Sequence, residues 1–599
     1  MESNGKRDMT ETANCDVLVV GTGAAGLTAA ITAKKAGLKV IVIEKEPLFG
    51  GTTAYSGGMI WIPDNKHEID ANKASGKNDS IATARQYILE EAGRCADPDK
   101  VDAYLKHGKE MVEYMERESE AKFYSMDYPD YVSENSNSRT QRGLCTVNYE
   151  TSKMGEHLKE LRNQLPQTLF LGLAIGSSVE MKEFMRAGRS IKSMGFVVKK
   201  LSSHARDMLL YGRSEQMVRG RALVGRLART VFDLEIPMWL KSPMKELIVE
   251  NGRVVGAIVE TPKGAMRVNA SRGVILACGG YGRDAARRKA TYPRVAGGEN
   301  HPTVVPMGNT GDGVRAAEAV GAKFTADVTQ VGSWMAVSQI PGVTGIEGSW
   351  PHLVDRQKPG FIAVTRKGNR FVDESSSYHH FIAGMIRANE KEGESEAAAW
   401  LIADANAIKR WGMGFVRPFP VPKSKYLRNG YLKRGATLAE LAKTIGVDPA
   451  GLQATVKKFN ENAKKGVDPD FNRGNRVYDT YQGDDENKPN SCLAPLEKGP
   501  FYAVRLYVGE IGTFAGIKTD ANARALNQAN QPIPGLYAIG NDQVSVFGGT
   551  YPGPGSTIGP AMTFGYIAAK HAAGLLDATA AHSRAPAAAA APASVGTMR

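Results

Sequence analysis

The first regular pattern along the chain is a short apolar run, Cys15–Val20 (CDVLVV), closed by Gly21-Thr22-Gly23-Ala24-Ala25-Gly26. A helix-like stretch, LTAAITAKKAG, follows, and then a second apolar run, Val40–Ile43, which stops at Glu44. Short runs that are apolar throughout suit strands of a parallel sheet covered on both faces. Strand alternating with helix predicts an α/β unit. Farther on, the pattern predicts a helix over 219–229, a hairpin from 254–260 and 265–269, and an apolar strand over 273–281 ending in a Gly-Gly turn. A last short strand, 535–539, ends in Gly540-Asn541-Asp542, and a helix-like run covers 562–576. From about 336 to 511 the periods are less regular and Trp, Pro and His are more frequent. The predicted order is a disordered 1–13, a nucleotide-binding part over 14–335, an inserted domain over 336–511, the second nucleotide-binding part over 512–577, and a disordered Ala/Pro tail over 578–599.

Two stretches within this order lack a clear period. The first, 128–142 (YPDYVSENSNSRTQR), reads as a polar surface loop with two tyrosines. The second is an insertion over about 145–212, in which Met181–Leu210 alternates Met, Phe, Val and Leu with Lys and Arg. A packed helix with a solvated basic face is the favoured reading, and a helix lying on a membrane surface is the alternative.

Composition narrows the partners. The chain has 599 residues and a net charge of +13. It has no apolar run of about 18 residues, so no spanning helix is expected, and its polar first residues do not read as a secretory signal. Five scattered cysteines, with no CxxC and no zinc-like His spacing, predict a reducing cytoplasm and no metal. The basic balance lacks the aromatic-interleaved cluster of a nucleic-acid binder, which leaves an anionic cofactor or an anionic membrane surface.

The first 44 residues point to a dinucleotide cofactor without separating FAD from NAD. Strand, GxGxxG, helix, strand and an acid about 20 residues after the glycines form the dinucleotide fingerprint. Gly21, Gly23 and Gly26, with Ala24 and Ala25, would bring backbone N–H groups to a pyrophosphate, and Glu44, beside Lys45, would reach a ribose hydroxyl. The next loop, GGTTAYSGGMIW (50–61), adds Gly51, Thr52, Thr53, Ser56, Gly57 and Gly58 as donors for a longer phosphate and ribityl chain, which favours FAD. Ala277, Gly279 and Gly280 end an apolar strand, Asp312 caps or turns into a helix, and Gly540 and Asn541 end the last strand, where a ribityl chain could lie. A rigid Gly/Pro loop, 548–561, then runs into the final helix, with Ser556, Thr557 and Ile558 at its start.

Together GTGAAG (21–26), GGTTAYSGGMIW (50–61), GVILACGGYG (273–282), RFVDESSSY (370–378), GLYAIGN (535–541) and YPGPGSTIGPAMTFGYIA (551–568) resemble the 3-ketosteroid Δ1-dehydrogenases, within the fumarate reductase and succinate dehydrogenase flavoprotein superfamily. The resemblance implies a Rossmann-like FAD domain of glutathione reductase type with an inserted α+β substrate domain. It implies FAD-dependent 1,2-desaturation of a 3-ketosteroid, passing electrons to an acceptor that the sequence leaves open, a quinone being one class. In this pattern Tyr551 and the Gly555 N–H polarise the C3 carbonyl, Tyr378 takes the C2 proton with Tyr131 as its partner, and C1 gives hydride to flavin N5. A tyrosine base needs a site that lowers its pKa. The loop 50–61 lacks the histidine of covalent flavoproteins, so FAD is expected to be non-covalent. The expected enzyme is cytoplasmic, with 165–210 as its candidate membrane contact. Three rivals are a fumarate reductase-like enzyme, a Δ4-desaturase and a non-catalytic FAD- or NAD-binding sensor. The first would place a His before a Gly-Gly where Gly512-Thr513 stands and an Arg where Tyr551 stands.

Overall fold

The computed structural model describes residues 11–170, 172–176, 178–188, 190–297 and 301–576. Strand β1 (Glu11–Val20), helix α1 (Ala24–Lys35) and strand β2 (Val40–Ile43) form the first unit. β1 and β2 pair in parallel, Val17 opposite Val40 and Val20 opposite Ile43. Every residue of β2 is buried, as its unbroken apolar run requires. α1 is alanine-rich and buried from Ala24 to Ala33, and its two charges, Lys34 and Lys35, sit in the last turn where the helix dipole favours cations.

β1 starts at Glu11, earlier than the expected tail over 1–13, because residues 11–13 pair with Met266–Val268. Residues 1–10 and the expected Ala/Pro tail over 578–599 lie outside the described residues.

The insertion forms α2 (Ser178–Arg186) and α3 (Ile191–Tyr211). Among the described residues no helix is long and apolar enough to cross a membrane. The chain then builds β3 (Gly264–Leu276), a single strand where the sequence suggested two. Its first half pairs antiparallel with Arg253–Thr261, and both halves pair in parallel with β1. The hairpin therefore extends the sheet that carries the fingerprint. That sheet has eight strands and runs Met238–Trp239, β2, β1, β3, Arg253–Thr261, Met244–Glu250 along its main path.

A second, six-stranded sheet takes its strands from residues between Gly332 and Thr513. Helix α4 (Tyr378–Glu392) packs on it, and the Ser377 hydroxyl caps the helix by accepting the His380 N–H at 3.3 Å. The cap fixes Tyr378 as the first helical residue. The central strand β4 (Phe501–Thr513) pairs antiparallel with Gly332–Gln339 and Ala398–Ala403. The chain then returns to the first sheet through β5 (Pro532–Ala538), parallel to β3 with Val274 opposite Leu536. The Gly/Pro loop follows, and α5 (Ile558–Ala572) packs against α1.

Candidate active site

A cavity of about 1200 Å3 runs from the Gly21–Ala25 turn to the Trp411–Val421 loop, with walls from both sheets, the Gly/Pro loop and the insertion. One end is a polar crease at the carboxyl ends of β1 and β2. Gly21 has a φ of +116°, and a Cβ there would overlap the Ala277 carbonyl. Only glycine lets the turn close against β3, which brings the N-terminus of α1 to the crease. The Thr22 hydroxyl donates to Glu44 at 2.6 Å, holding the acid at the end of β2. Ala24 N–H donates to Thr53 Oγ1 at 3.1 Å, and Asn309 donates to Thr52 Oγ1 at 3.1 Å, which ties the second glycine loop to the first. Lys45 donates to Thr310 Oγ1 at 2.7 Å and pairs with Asp312. The N-cap of the Asp312 helix is Gly311, so Asp312 is its first helical residue rather than its cap.

Gly23, Ala24, Ala25, Glu44, Lys45, Gly51, Thr52, Thr53, Ser56, Gly57, Gly58, Ala277, Gly279, Asp312, Gly540, Asn541, Thr557 and Ile558 all line this cavity with Gly21. Three expected cofactor contacts do not. Gly26 faces inward, its α-carbon packed against the Gly21 carbonyl. Gly280 donates its N–H to the buried Asp542 carboxylate at 3.0 Å. The Ser556 hydroxyl closes its own turn, donating to the Gly553 carbonyl at 2.7 Å and accepting the Gly553 N–H at 3.0 Å. These three shape the crease from behind. The N-terminus of α1, the close backbone approach at Gly21 and the acid at the end of β2 suit the pyrophosphate and ribose of a dinucleotide.

Beside the crease the chain gathers tyrosines. Tyr131 donates its hydroxyl to Tyr378 at 3.2 Å. The Tyr551 ring stacks on Tyr131 at 5.4 Å and meets Tyr378 edge-on at 5.4 Å. Tyr128 also lines the cavity, but its hydroxyl accepts from Gln482 at 2.5 Å, leaving Tyr131 as the tyrosine beside Tyr378. The loop 128–142 is not a simple surface loop. Asp130 is buried, accepting from Trp61 Nε1 at 2.7 Å and Arg142 Nη1 at 2.8 Å, and these bonds hold Tyr131 inside. Pro552 locks the two halves together, its carbonyl accepting from Tyr131 N–H at 2.8 Å and Tyr87 hydroxyl at 2.8 Å.

Gly555 has a φ of +101°, and a Cβ there would lie 2.6 Å from the Ile60 backbone. Its carbonyl accepts from Trp61 and Gly559, while its N–H meets no acceptor among the described residues. Ser333 Oγ is a second buried group without a partner; burial raises the Tyr551 phenol above its usual range, and Tyr378, Thr557 and Ser333 oppose that rise.

The electrostatics differ from expectation. Burial holds Tyr378 well above the usual phenol range, the neighbouring Tyr551 raises it further, and only the Tyr131 hydroxyl opposes them. Burial dominates because the ring, only 7% exposed, leaves a phenolate poorly solvated. The sequence reading asked for the opposite shift. Two groups it missed bear on this. Tyr478 lies 5.0 Å from the Tyr131 ring, and behind it is Arg356, fully buried, with Nε and Nη2 lacking acceptors. Burial raises the Tyr478 phenol, and Arg356 is the cation that opposes that rise. Neither residue stands in a recognisable motif.

Residues 16–558 match the family model described as FAD binding domain. The chain belongs to that family. This flavoprotein is a FAD-dependent oxidoreductase. It is 39% identical over 95% of both chains to a 4-oxocyclohex-2-ene-1-carboxylate 5-dehydrogenase of Sinomonas cyclohexanicum. It is 36% identical to a 3-oxosteroid 1-dehydrogenase of Mycobacterium tuberculosis, over 93% of this chain and 98% of that one. The solved 3-ketosteroid Δ1-dehydrogenase of Sterolibacterium denitrificans, in complex with 1,4-androstadiene-3,17-dione, superposes on the flavoprotein with a TM-score of 0.86. That structure is 34% identical and covers 94% of this chain and 100% of the other.

Proposed function

We propose that the flavoprotein removes hydrogens from C1 and C2 of a 3-ketosteroid, leaving a 1,2 double bond. The observation that carries this is that Tyr551 and Gly555, whose N–H meets no acceptor among the described residues, line one cavity with the Tyr378–Tyr131 pair. Tyr551 and Gly555 donate to the ketone oxygen and hold the charge that grows there as the C2–H bond weakens. Tyr378, as phenolate, takes the C2 proton into a new O–H bond, and Tyr131 keeps a donor on its oxygen. The C2–H electrons become the new double bond when hydride leaves C1. FAD supplies the acceptor for that hydride. The apolar walls keep water from the enolate and from Tyr378. Non-covalent FAD is supported by the loop 50–61, which carries no histidine to tether the flavin.

A dicarboxylate fits this site poorly, since its centre is phenols and a backbone N–H rather than paired arginines. A small cyclic keto acid is the second reading, favoured by the Sinomonas relative. Against it stands the wall beyond the tyrosines, with Phe170, Phe184, Trp350, Leu353, Trp411 and Phe419. That is far more apolar surface than one six-membered ring covers. A substrate panel decides between them: kcat/KM for androst-4-ene-3,17-dione should exceed that for 4-oxocyclohexanecarboxylate by at least about tenfold. The reverse order would remove the steroid from this account.

The insertion carries the finer reading of a membrane partner. α3 turns Ile191 (94% exposed), Leu209 (87%) and Leu210 (64%) to solvent, with Lys192, Lys199 and Arg206 exposed beside them. Val197, buried on the opposite face, lines the cavity together with Met194. An apolar outer face ringed by cations suits an anionic bilayer from which a steroid could enter. Co-sedimentation with vesicles containing phosphatidylglycerol is expected, and Leu209→Glu with Leu210→Glu should abolish it. Equal sedimentation of both forms would leave α3 as a packed lid only.

A further inference from the structure

We infer that the far end of the cavity holds an anion, so that the substrate is a ring ketone with a carboxylate remote from the ketone. This deepens the steroid-ketone reading and rests on it. Beyond the tyrosines the lining carries Lys182, Lys358, Lys409, Arg410 and Arg417, against one carboxylate, Asp355. That carboxylate is occupied, bonded to His352 Nδ1 at 2.8 Å and to the Gly414 N–H at 2.8 Å. Arg410 pairs with Asp484 and Glu486, and Arg417 donates to the carbonyls of Gln167 and Leu169 at 2.5 and 3.1 Å.

Lys358 is different. It is 3% exposed, and its ammonium donates to the carbonyls of Gln482 and Gly483 at 2.6 and 3.0 Å, above the Trp411 ring. No carboxylate among the described residues pairs with it within 4.0 Å. An ammonium has three donors, and two of these meet only neutral oxygens. A buried cation without a counter-charge is costly, and a carboxylate entering the cavity would supply one. Lys182, reaching in from α2 above the Tyr481 ring, adds to the demand by repelling Lys358. Burial and this repulsion push Lys358 down to about 8, with Asp484, Asp485 and Cys492 opposing from the other side.

The span to the ketone clamp is set by one residue. The Gln482 carbonyl accepts from Lys358, while its side-chain amide donates to Tyr128, whose ring lies 6.4 Å from Tyr131. A rigid apolar substrate with a ketone at one end and an acid at the other would bridge the two.

The carboxylate could belong to a steroid side chain or to a small cyclic keto acid. The test compares kcat/KM of the FAD-loaded enzyme for 3-oxochol-4-en-24-oic acid and its primary amide, with androst-4-ene-3,17-dione and 4-oxocyclohexanecarboxylate as further arms. The acid should be preferred over its amide by about tenfold or more. Lys358→Met should bring the acid-to-amide ratio close to one, and Lys358→Arg should restore part of it. Equal kcat/KM for acid and amide in the wild type overturns the inference without needing a variant. If androstenedione is turned over in that case, the ketosteroid reading still stands. Turnover of 4-oxocyclohexanecarboxylate but of no steroid, acid or neutral, keeps the carboxylate chemistry and overturns the steroid reading.

Discussion

Replacing Tyr378 with Phe is expected to lower kcat by about 10²- to 10⁴-fold, the range that a positioned acid–base group contributes. The flavin should stay bound, because Tyr378 sits on α4, away from the crease that would take the pyrophosphate. The ring keeps its packing against Tyr131 and Tyr551 and loses only its oxygen. The same residue sets the pH profile. Its phenol is held well above the usual range by burial, then by Tyr551, so below that raised pKa only the rare phenolate form is active. Activity should therefore climb with pH through the alkaline range, by about tenfold per unit where Tyr378 alone limits. Stopped-flow flavin reduction measures this directly. A Phe variant with wild-type reduction rate, or a wild type with a flat alkaline profile, would remove Tyr378 as the base.

Replacing Tyr551 with Phe is expected to cost about 10²- to 10³-fold in kcat, as for the loss of one donor from an oxyanion site. The charge on the ketone oxygen develops mainly in the transition state, so kcat and kcat/KM should fall together while KM changes little. The loop itself should survive, because Pro552 and Gly555 fix it through their own carbonyls rather than through the Tyr551 hydroxyl. A KM effect with kcat intact would make Tyr551 a simple binding residue and shift the burden of polarisation elsewhere.

The parts of this site that were legible in the sequence are those written in consecutive residues. Strand, glycine turn, helix and Glu44 lie within one short stretch, and each responds to local rules of periodicity and turn chemistry. The rigidity of the 548–561 loop was legible for the same reason, from its prolines and glycines, while the roles expected of Tyr551 and Gly555 came from the resemblance. Ser556 was misread because the loop spends its hydroxyl on its own turn, a local competition that composition does not reveal.

Tyr131 is the contrasting case. Its stretch is polar throughout, and it is buried only because Asp130 finds Trp61 and Arg142 in space. Periodicity could not see those partners, and the resemblance alone pointed to this tyrosine. Tyr478, Arg356 and Lys358 escaped both routes. Each comes from an irregular stretch, and each matters through a neighbour distant in sequence: Tyr131, Tyr478 and Gln482 respectively. The sign of the Tyr378 shift was also beyond the sequence. It depends on how completely the second sheet and the Gly/Pro loop exclude water, a property of the assembled fold.

The central claim is that a ketosteroid gives up two hydrogens here. The most direct measurement is to mix the purified holoenzyme anaerobically with androst-4-ene-3,17-dione, follow the oxidised flavin band, and weigh the steroid afterwards. The account predicts that the band bleaches and that the product is androsta-1,4-diene-3,17-dione, lighter by two hydrogens. An unbleached band with every 3-ketosteroid tried, together with fumarate turnover by the dye-reduced enzyme, would contradict it.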